Sequence, residues 1–281
     1  MTTISIICPY RDSEKFLRQL YANVRQQTFA DWELLLINDD SSDSGPEIAA
    51  ELATQDNRVH ALTAPRRGNE DDSGPWWPRN FGIIQSNGQF IAFLDVDDLW
   101  HPYKLQLQIH QITTLGSDMS ITGYARFREN REELSRWMLP PYRITYKRLL
   151  NGNAIPLLTV IIKRELVSEG FRPSRHEDYL FWLDIFKSHP TIVCLTIPAL
   201  LAFHQRHKDS LTSCRLQMAS WAYKVYRNHG YSRLLSLIRL IPWSMTQLSQ
   251  QIRSSLNPLR SMLSDALGAK SPIVLPPSRF S

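Results

Sequence analysis

Hydrophobic positions in the first hundred residues follow two alternating periods. Ile4 to Cys8 is a continuous apolar run closed by Pro9, the pattern of a strand buried on both faces of a parallel sheet. Asp12 or Ser13 then stands where a helix cap belongs, and Phe16, Leu17, Leu20 and Val24 recur at helical spacing. Trp32 to Ile37 predicts a second strand, ended by the turn-rich stretch Asn38 to Pro46. Ile48, Ala49, Leu52 and Ala53 mark one face of another helix, and Val59 to Leu62 a third strand. Asn80 to Gln85 predicts a short helix, and Phe90 to Leu94 a fourth strand running straight into Asp95-Val96-Asp97-Asp98. Strands that alternate with helices predict right-handed crossovers and a mostly parallel α/β sheet covered on both faces.

Beyond Trp100 the pattern loosens. A helix is expected near Lys104 to Thr113, strands near Met119 to Phe127 and Leu158 to Lys163, and a helix near Tyr179 to Ser188. From about residue 213 the chain reads as helix, with Ile238, Ile241, Met245, Leu248, Ile252 and Leu259 on one stripe and Pro242 and Pro258 expected to kink or break it. Charge divides the chain at the same place. The whole carries 32 Lys and Arg against 27 Asp and Glu, a net charge of +5. Residues 215–281 alone hold nine basic side chains and one acid, Asp265, a net of +8, which leaves the rest at −3. The expected division is a catalytic domain over residues 1–212 and a basic amphipathic tail over 213–281.

Three cysteines without a Cys-x-x-Cys pair argue against a zinc ribbon or a disulfide framework and suit a reducing compartment. The start of the chain lacks a basic stretch leading into a long apolar one, so no secretory signal is expected. The longest uncharged apolar run, Pro190 to Phe203, is shorter than the roughly 18 residues that a membrane span needs. A cytoplasmic protein follows as the expectation.

In an open α/β sheet ligands bind beyond the carboxyl ends of the strands, where loops vary over a rigid base. Three polar clusters fall there: Pro9 to Asp12, Asn38 to Asp43, and Asp95 to Asp98. So many carboxylates raise one another's pKa unless donors or a cation face them. Hard oxygen ligands favour Mg2+ or Mn2+, and Mg2+ is commonly held by one or two carboxylates plus substrate phosphates. A short Asp-x-Asp at a strand end therefore suits a nucleotide diphosphate, although alone it is also an ordinary solvated turn.

The segments Ile4 to Pro9, Gln27 to Asp43, Arg79-Asn80 and Gly88 to Trp100 together resemble the family 2 glycosyltransferases of the GT-A fold. The resemblance continues through Leu149 to Pro156, Gly170-Phe171, Glu177 to Leu183 and His207 to Ser210. It implies a Rossmann-like GT-A domain with a C-terminal helical extension, binding a nucleotide-diphosphate sugar, expected to be a UDP-sugar, with Mn2+ or Mg2+ as cofactor. Position by position, it puts Pro9 in the nucleoside loop, Asp39 on the base, Asp95 on the ribose and Asp97 on the metal-diphosphate, with Asp98 holding the loop or sharing the ion. Asp178 becomes the general base of an inverting transfer with Glu177 beside it, His207 a metal or diphosphate contact, and Arg79 a counter-charge for the leaving group. Asn38 in place of an Asp, Arg11 in place of an aromatic, and a loop enlarged by Glu70-Asp71-Asp72 and Trp76-Trp77 depart from the family pattern.

Each assignment has a plainer competitor. Asp39 serves equally as a turn former, Glu177-Asp178 as a capping pair, His207 and Arg79 as surface residues, and Trp76 and Trp77 as packing rather than sugar platforms. For the tail, a helix lying on an anionic lipid surface competes with a stripe packed on the catalytic domain, and no nucleic-acid motif is present. The expected function is an inverting, metal-assisted transferase acting on a glycan or lipid-linked acceptor of a bacterial surface polysaccharide, peripheral at the inner membrane face. The alternative is a catalytically inactive nucleotide-sugar-binding scaffold in a glycan-assembly complex. A metal-dependent phosphohydrolase fits less well, because Pro9-Tyr-Arg-Asp12 occupies the place of its nucleophile run.

Overall fold

A computed structural model describes residues 3–66, 74–128, 131–174, 176–205, 215–246 and 248. The chain runs β1 (Ile4–Tyr10), α1 (Glu14–Arg25), β2 (Trp32–Asn38), α2 (Gly45–Gln55), β3 (Val59–Thr63), α3 (Trp76–Gln85) and β4 (Phe90–Phe93). It continues with β5 (Leu99–Trp100), α4 (Lys104–Leu115), β6 (Met119–Arg128), β7 (Arg131–Met138), β8 (Arg143–Ile144) and α5 (Tyr146–Leu149). Then come β9 (Ile161–Lys163), α6 (Glu177–Ser188), β10 (Cys194–Gln205) and α7 (Arg215–Asn228), with further helix over 233–246.

One mixed sheet orders the main strands β3-β2-β1-β4-β9-β6-β10-β5, with β7 added on β6 and β8 on β10. β3, β2, β1 and β4 are mutually parallel, β9 runs against β4 and β6, and β10 again runs parallel to β6. The carboxyl ends of β1, β2, β4, β6 and β10 therefore share one edge. Apolar clusters cover both faces, one built on Leu17, Leu34, Leu36 and Ala92 and the other on Phe93, Leu180, Phe181 and Trp182.

Several local expectations change. β1 does not stop at Pro9 but reaches Tyr10, pairing Pro9 with Ile37 and Tyr10 with Asn38. On the β4 side its pairing ends at Ile7, so a residue without an N–H sits where no second ladder asks for one. The expected cap of α1 is absent: Ser13 makes no capping bond, and Asp43 accepts from the Glu14 amide at 2.7 Å while Glu14 accepts from the Ser44 amide at 3.0 Å. The two helix starts thus cap each other across the β1 and β2 loops. Of the strand expected at Leu158 to Lys163 only Ile161–Lys163 forms, because Leu157–Thr159 coils into a short 3-10 turn.

β10, taken in the sequence only as an apolar run too short to cross a membrane, is the longest strand in the sheet. Its register slips between Ile197 and Leu200 and again between Leu200 and Ala202, around Pro198, and that irregularity breaks the alternation that would have marked it. No helix among the described residues is long and apolar enough to cross a membrane. In the tail, α7 buries Val225 and Tyr226 in the cluster that also holds α6, and the Tyr226 hydroxyl donates to the Leu150 carbonyl at 3.0 Å. Gly230, at φ +98°, turns the chain into the helix over 233–246, which continues through Pro242 instead of breaking there.

Candidate active site

Two neighbouring cavities open at the carboxyl edge of the sheet. The first, about 260 Å³, lies against Pro9, Tyr10, Asp39, Asp95, Asp97 and Arg79. The second, about 280 Å³, lies against Tyr124, Arg126, Leu157, Asp98, Glu177 and Asp178. Arg79, Asp95 and His204 border both. One hollow is walled by the loops after β1 and β2, the other by the start of α6, and the β4 loop runs between them.

Arg79 is the hinge of this arrangement. α3 can bring it close to the sheet because Gly82 lies against β1, where a Cβ would meet Ile7 Cγ2 at 2.6 Å. Asn80 clasps the backbone of Phe171 with both ends of its amide, at 2.6 and 2.9 Å, and Phe171 stacks on Phe181 of α6 at 3.9 Å. Arg79 is 4% exposed, donating from Nη1 to Glu177 Oε1 and from Nη2 to Asp95 Oδ1, both at 2.7 Å. Burial works against its charge, but Asp95 and Glu177 outweigh it and raise the guanidinium pKa further. One cation faces two carboxylates there, and the more deeply buried acid yields: burial pushes Glu177 up to about 7 despite the pull of Arg79. Arg79 Nε is buried with no hydrogen-bond partner among the described residues.

Asp98, 1% exposed, is buried in the wall of the second hollow. Its Oδ1 accepts from the Gln205 amide and lies against His204 Nδ1, both at 3.0 Å, which ties the β4 loop to the end of β10. In the metal-free protein burial pushes Asp98 from 3.8 up to about 6, against the pull of His204. Burial acts to lower His204, but the hydrogen bond and charge of Asp98 outweigh it and raise the imidazole above 6.5. Both groups hold protons to higher pH folded than unfolded, so folding takes up protons and stability falls as pH rises from about 4 through 6 for Asp98 and onward past 6.5 for His204. Thermal unfolding of metal-free Asp98→Asn should show a shallower fall over that window than the wild type; superimposable slopes would remove the pair as its cause.

Asp178 accepts from the Tyr179 amide at 2.7 Å and from Asn153 Nδ2 at 2.8 Å, so its carboxylate is oriented at the cavity wall. The start of α6 has no side-chain cap, Asp178 bonding among its amides only that of the next residue while Glu177 bonds Arg79. Other carboxylates find donors inside the chain: Asp40 accepts from Arg66, Asp43 from the Glu14 and Gly45 amides, and Asp95 from Arg79. Donors within the chain thus face these acids, one of the two ways the sequence left open. Among the described residues no group of three or more His, Cys, Asp or Glu forms a metal cage.

Pro9, Asp39, Arg79, Asp95 and Asp97 thus come together at one hollow, and Asp98, Glu177 and Asp178 at its neighbour. Trp76 packs in the core, and Trp77, partly buried, donates from Nε1 to the Pro65 carbonyl at 2.8 Å and lies near Phe81. His207, the Glu70-Asp71-Asp72 stretch and the tail beyond residue 248 lie outside the described residues. His204, Tyr124, Arg126 and Asn153 join the site as well, none of them marked by a motif in the sequence. Recognising β6 and β10 as strands ending at the ligand edge was the signal available for the first three.

The family model described as Glycosyl transferase family 2 matches residues 5–171. UDP-Glc:alpha-D-GlcNAc-diphosphoundecaprenol beta-1,3-glucosyltransferase WfgD of Escherichia coli is 35% identical over 187 residues, covering 66% of this chain and 70% of that protein. Among solved structures, S. aureus TarS 1-349 in complex with UDP-GlcNAc superposes with a TM-score of 0.62 at 19% identity, over 86% of this chain and 71% of that one. The mannosyltransferase PcManGT from Pyrobaculum calidifontis, in complex with GDP-Man and Mn2+, gives 0.59 at 14% identity, over 95% and 80%.

Proposed function

The chain belongs to glycosyl transferase family 2, and from that premise we propose that it is an inverting, metal-assisted transferase moving a sugar from a UDP-sugar to an acceptor hydroxyl. Its fold is GT-A, an α/β sheet flanked by helices with a C-terminal helical extension. The observation that carries the reading is the pair of hollows sharing Arg79, Asp95 and His204, with the Asp39 loop bordering one and Asp178 the other. An inverting transfer needs that division, because the acceptor oxygen attacks the anomeric carbon from the face opposite the departing nucleotide. UDP as the nucleotide, and a glycan or lipid-linked acceptor in bacterial surface polysaccharide synthesis, are supported by the donor and acceptor in the name of the WfgD relative. We take the reaction to occur in the cytoplasm, the compartment that the cysteine usage of the sequence suits.

Asp39 and Pro9 border the donor hollow where the nucleoside binds, and Asp95 stands at the ribose side. Asp97 supplies hard carboxylate oxygen beside the same hollow, which fits an Mg2+ or Mn2+ completed by substrate phosphates and water rather than by a protein cage. Bound there, the ion supplies Lewis-acid stabilisation of the charge on the departing diphosphate. Arg79, bordering both hollows, sets a fixed positive charge beside the departing diphosphate, and His204, whose hold on a proton Asp98 strengthens, stands at the boundary of the same hollows. Asp178 takes the proton of the acceptor hydroxyl as its oxygen bonds to the anomeric carbon and the bond from that carbon to the diphosphate oxygen breaks.

The test is calorimetry with UDP, with and without Mn2+, followed by a turnover assay over a panel of UDP-sugars. Mn2+ is expected to tighten UDP binding to the wild type, and Asp97→Asn to abolish that gain and reduce turnover ~100-fold or more. Unaltered Mn2+ dependence in Asp97→Asn would end the metal assignment. UDP binding without turnover across the panel would favour the scaffold.

A further inference from the structure

From the helix over 233–246 and Leu248 beyond it, we infer a membrane-docking surface that takes anionic lipid. The helix has two apolar faces of unlike fate. Ser236, Leu240 and Trp243 turn inward, Ser236 and Trp243 being buried and Leu240 packing on the core that holds α6. Leu234, Leu237, Ile238, Ile241, Met245 and Leu248, spaced by ones, threes and fours on the opposite side, are between 49% and 68% exposed. The stripe singled out in the sequence is therefore not spent on the catalytic core, at least as far as Leu248. Six large aliphatic side chains aligned on one outer face are a surface that water leaves costly and that marks an interaction site.

Charge selects the occupant. No acid occurs between Ser210 and Ser264, whereas Arg215, Lys224, Arg227, Arg233, Arg239, Arg253 and Arg260 all fall in that span. A second copy of this chain laid on the stripe would bring two such basic segments together, and residues 249–281 are themselves basic, with four cations against Asp265. An anionic bilayer answers both needs at once, receiving the aliphatic stripe in its interfacial layer and the Arg and Lys side chains at its headgroups. The site is independent of the proposed chemistry, although it would hold the enzyme where a lipid-linked acceptor lies.

The full chain is tested by flotation with phosphatidylcholine vesicles and with vesicles also containing phosphatidylglycerol. Wild type should float with the anionic vesicles, less so as salt is raised, and Ile241→Glu/Met245→Glu should lower its recovery by ~10-fold or more. Leu234→Ser/Leu237→Ser, which adds no charge, should lower it in the same direction. Equal recovery of wild type and both variants, or no flotation of any, overturns the inference. So does a wild-type dimer in solution that the variants convert to monomer without any lipid recovery, which would assign the stripe to a second copy. UDP affinity measured on the same samples should be the same in all three proteins, so a failed donor site and a failed docking surface give different results.

Discussion

Asp178→Asn is expected to lower the rate of sugar transfer by about 10² to 10⁴, the usual contribution of a positioned base, with UDP binding unchanged. Asp178 is held by the Tyr179 amide at 2.7 Å and by Asn153 Nδ2 at 2.8 Å, so its orientation is set before any acceptor arrives. An amide can accept from only one of these donors while keeping its own N–H₂ clear of the other, so thermal unfolding must accompany the kinetics to separate lost chemistry from lost structure. The deciding pattern is a fall in kcat with little change in UDP affinity and in melting temperature. Transfer at close to the wild-type rate would move the base elsewhere, with Glu177 first in line. Glu177, pushed up to about 7, has a proton affinity suited to a base, yet its carboxylate is engaged by Arg79. Glu177→Gln distinguishes the two, since it removes that ionisation and leaves the Asp178 contacts in place.

The parts of this site that could be read in the sequence are those carried by regular periods. β1, β2 and β4 are short apolar runs ending in polar clusters, so Pro9, Asp39 and Asp95 to Asp98 could be assigned to the ligand edge before any geometry was known. Where two structures share one stretch of chain, the pattern blurs. β6 is expected as a strand near Met119 to Phe127, but nothing in its pattern tells that its end lies beside that of β10, and β10 carries Pro198 and two register slips that break the alternation that would have marked it and put His204 at that edge. Long-range partnership was equally hidden. That Asp98 would hold His204, that Glu14 and Asp43 would cap each other's helices, and that Asn80 would clasp Phe171 are consequences of packing between distant segments. The tail shows the same limit in reverse: its helical period was plain, but whether the stripe met protein or water depended on which face the chain beyond Gly230 presented to the core.

Arg79→Met should destabilise the protein by about 3–5 kcal/mol, because it removes a buried cation and leaves the two carboxylates that faced it. Asp95 and Glu177 come from the donor and acceptor sides of the site, and Arg79, 4% exposed, is bonded to both at 2.7 Å. For a chain of this length each kcal/mol corresponds to roughly 2–4 °C in melting temperature, so a fall of the order of 10 °C is expected. The pH dependence has a definite sign. Without the guanidinium the pull that opposes burial of Glu177 is gone, so Glu177 holds its proton still more tightly in the folded state than in the unfolded chain. Folding then takes up a proton, and the variant loses stability as pH rises through the acid's ordinary range and on past 7. Glu177→Gln added to Arg79→Met removes that titration and should recover part of the loss above neutral pH, a coupling that independent sites would not show. A penalty below about 1 kcal/mol, flat in pH and unrelieved by the second substitution, would mean that Arg79 contributes no more than a surface ion pair. The two hollows would then be joined by the clasp of Asn80 on Phe171 alone, and the charge between them would have no part in holding donor and acceptor sides in register.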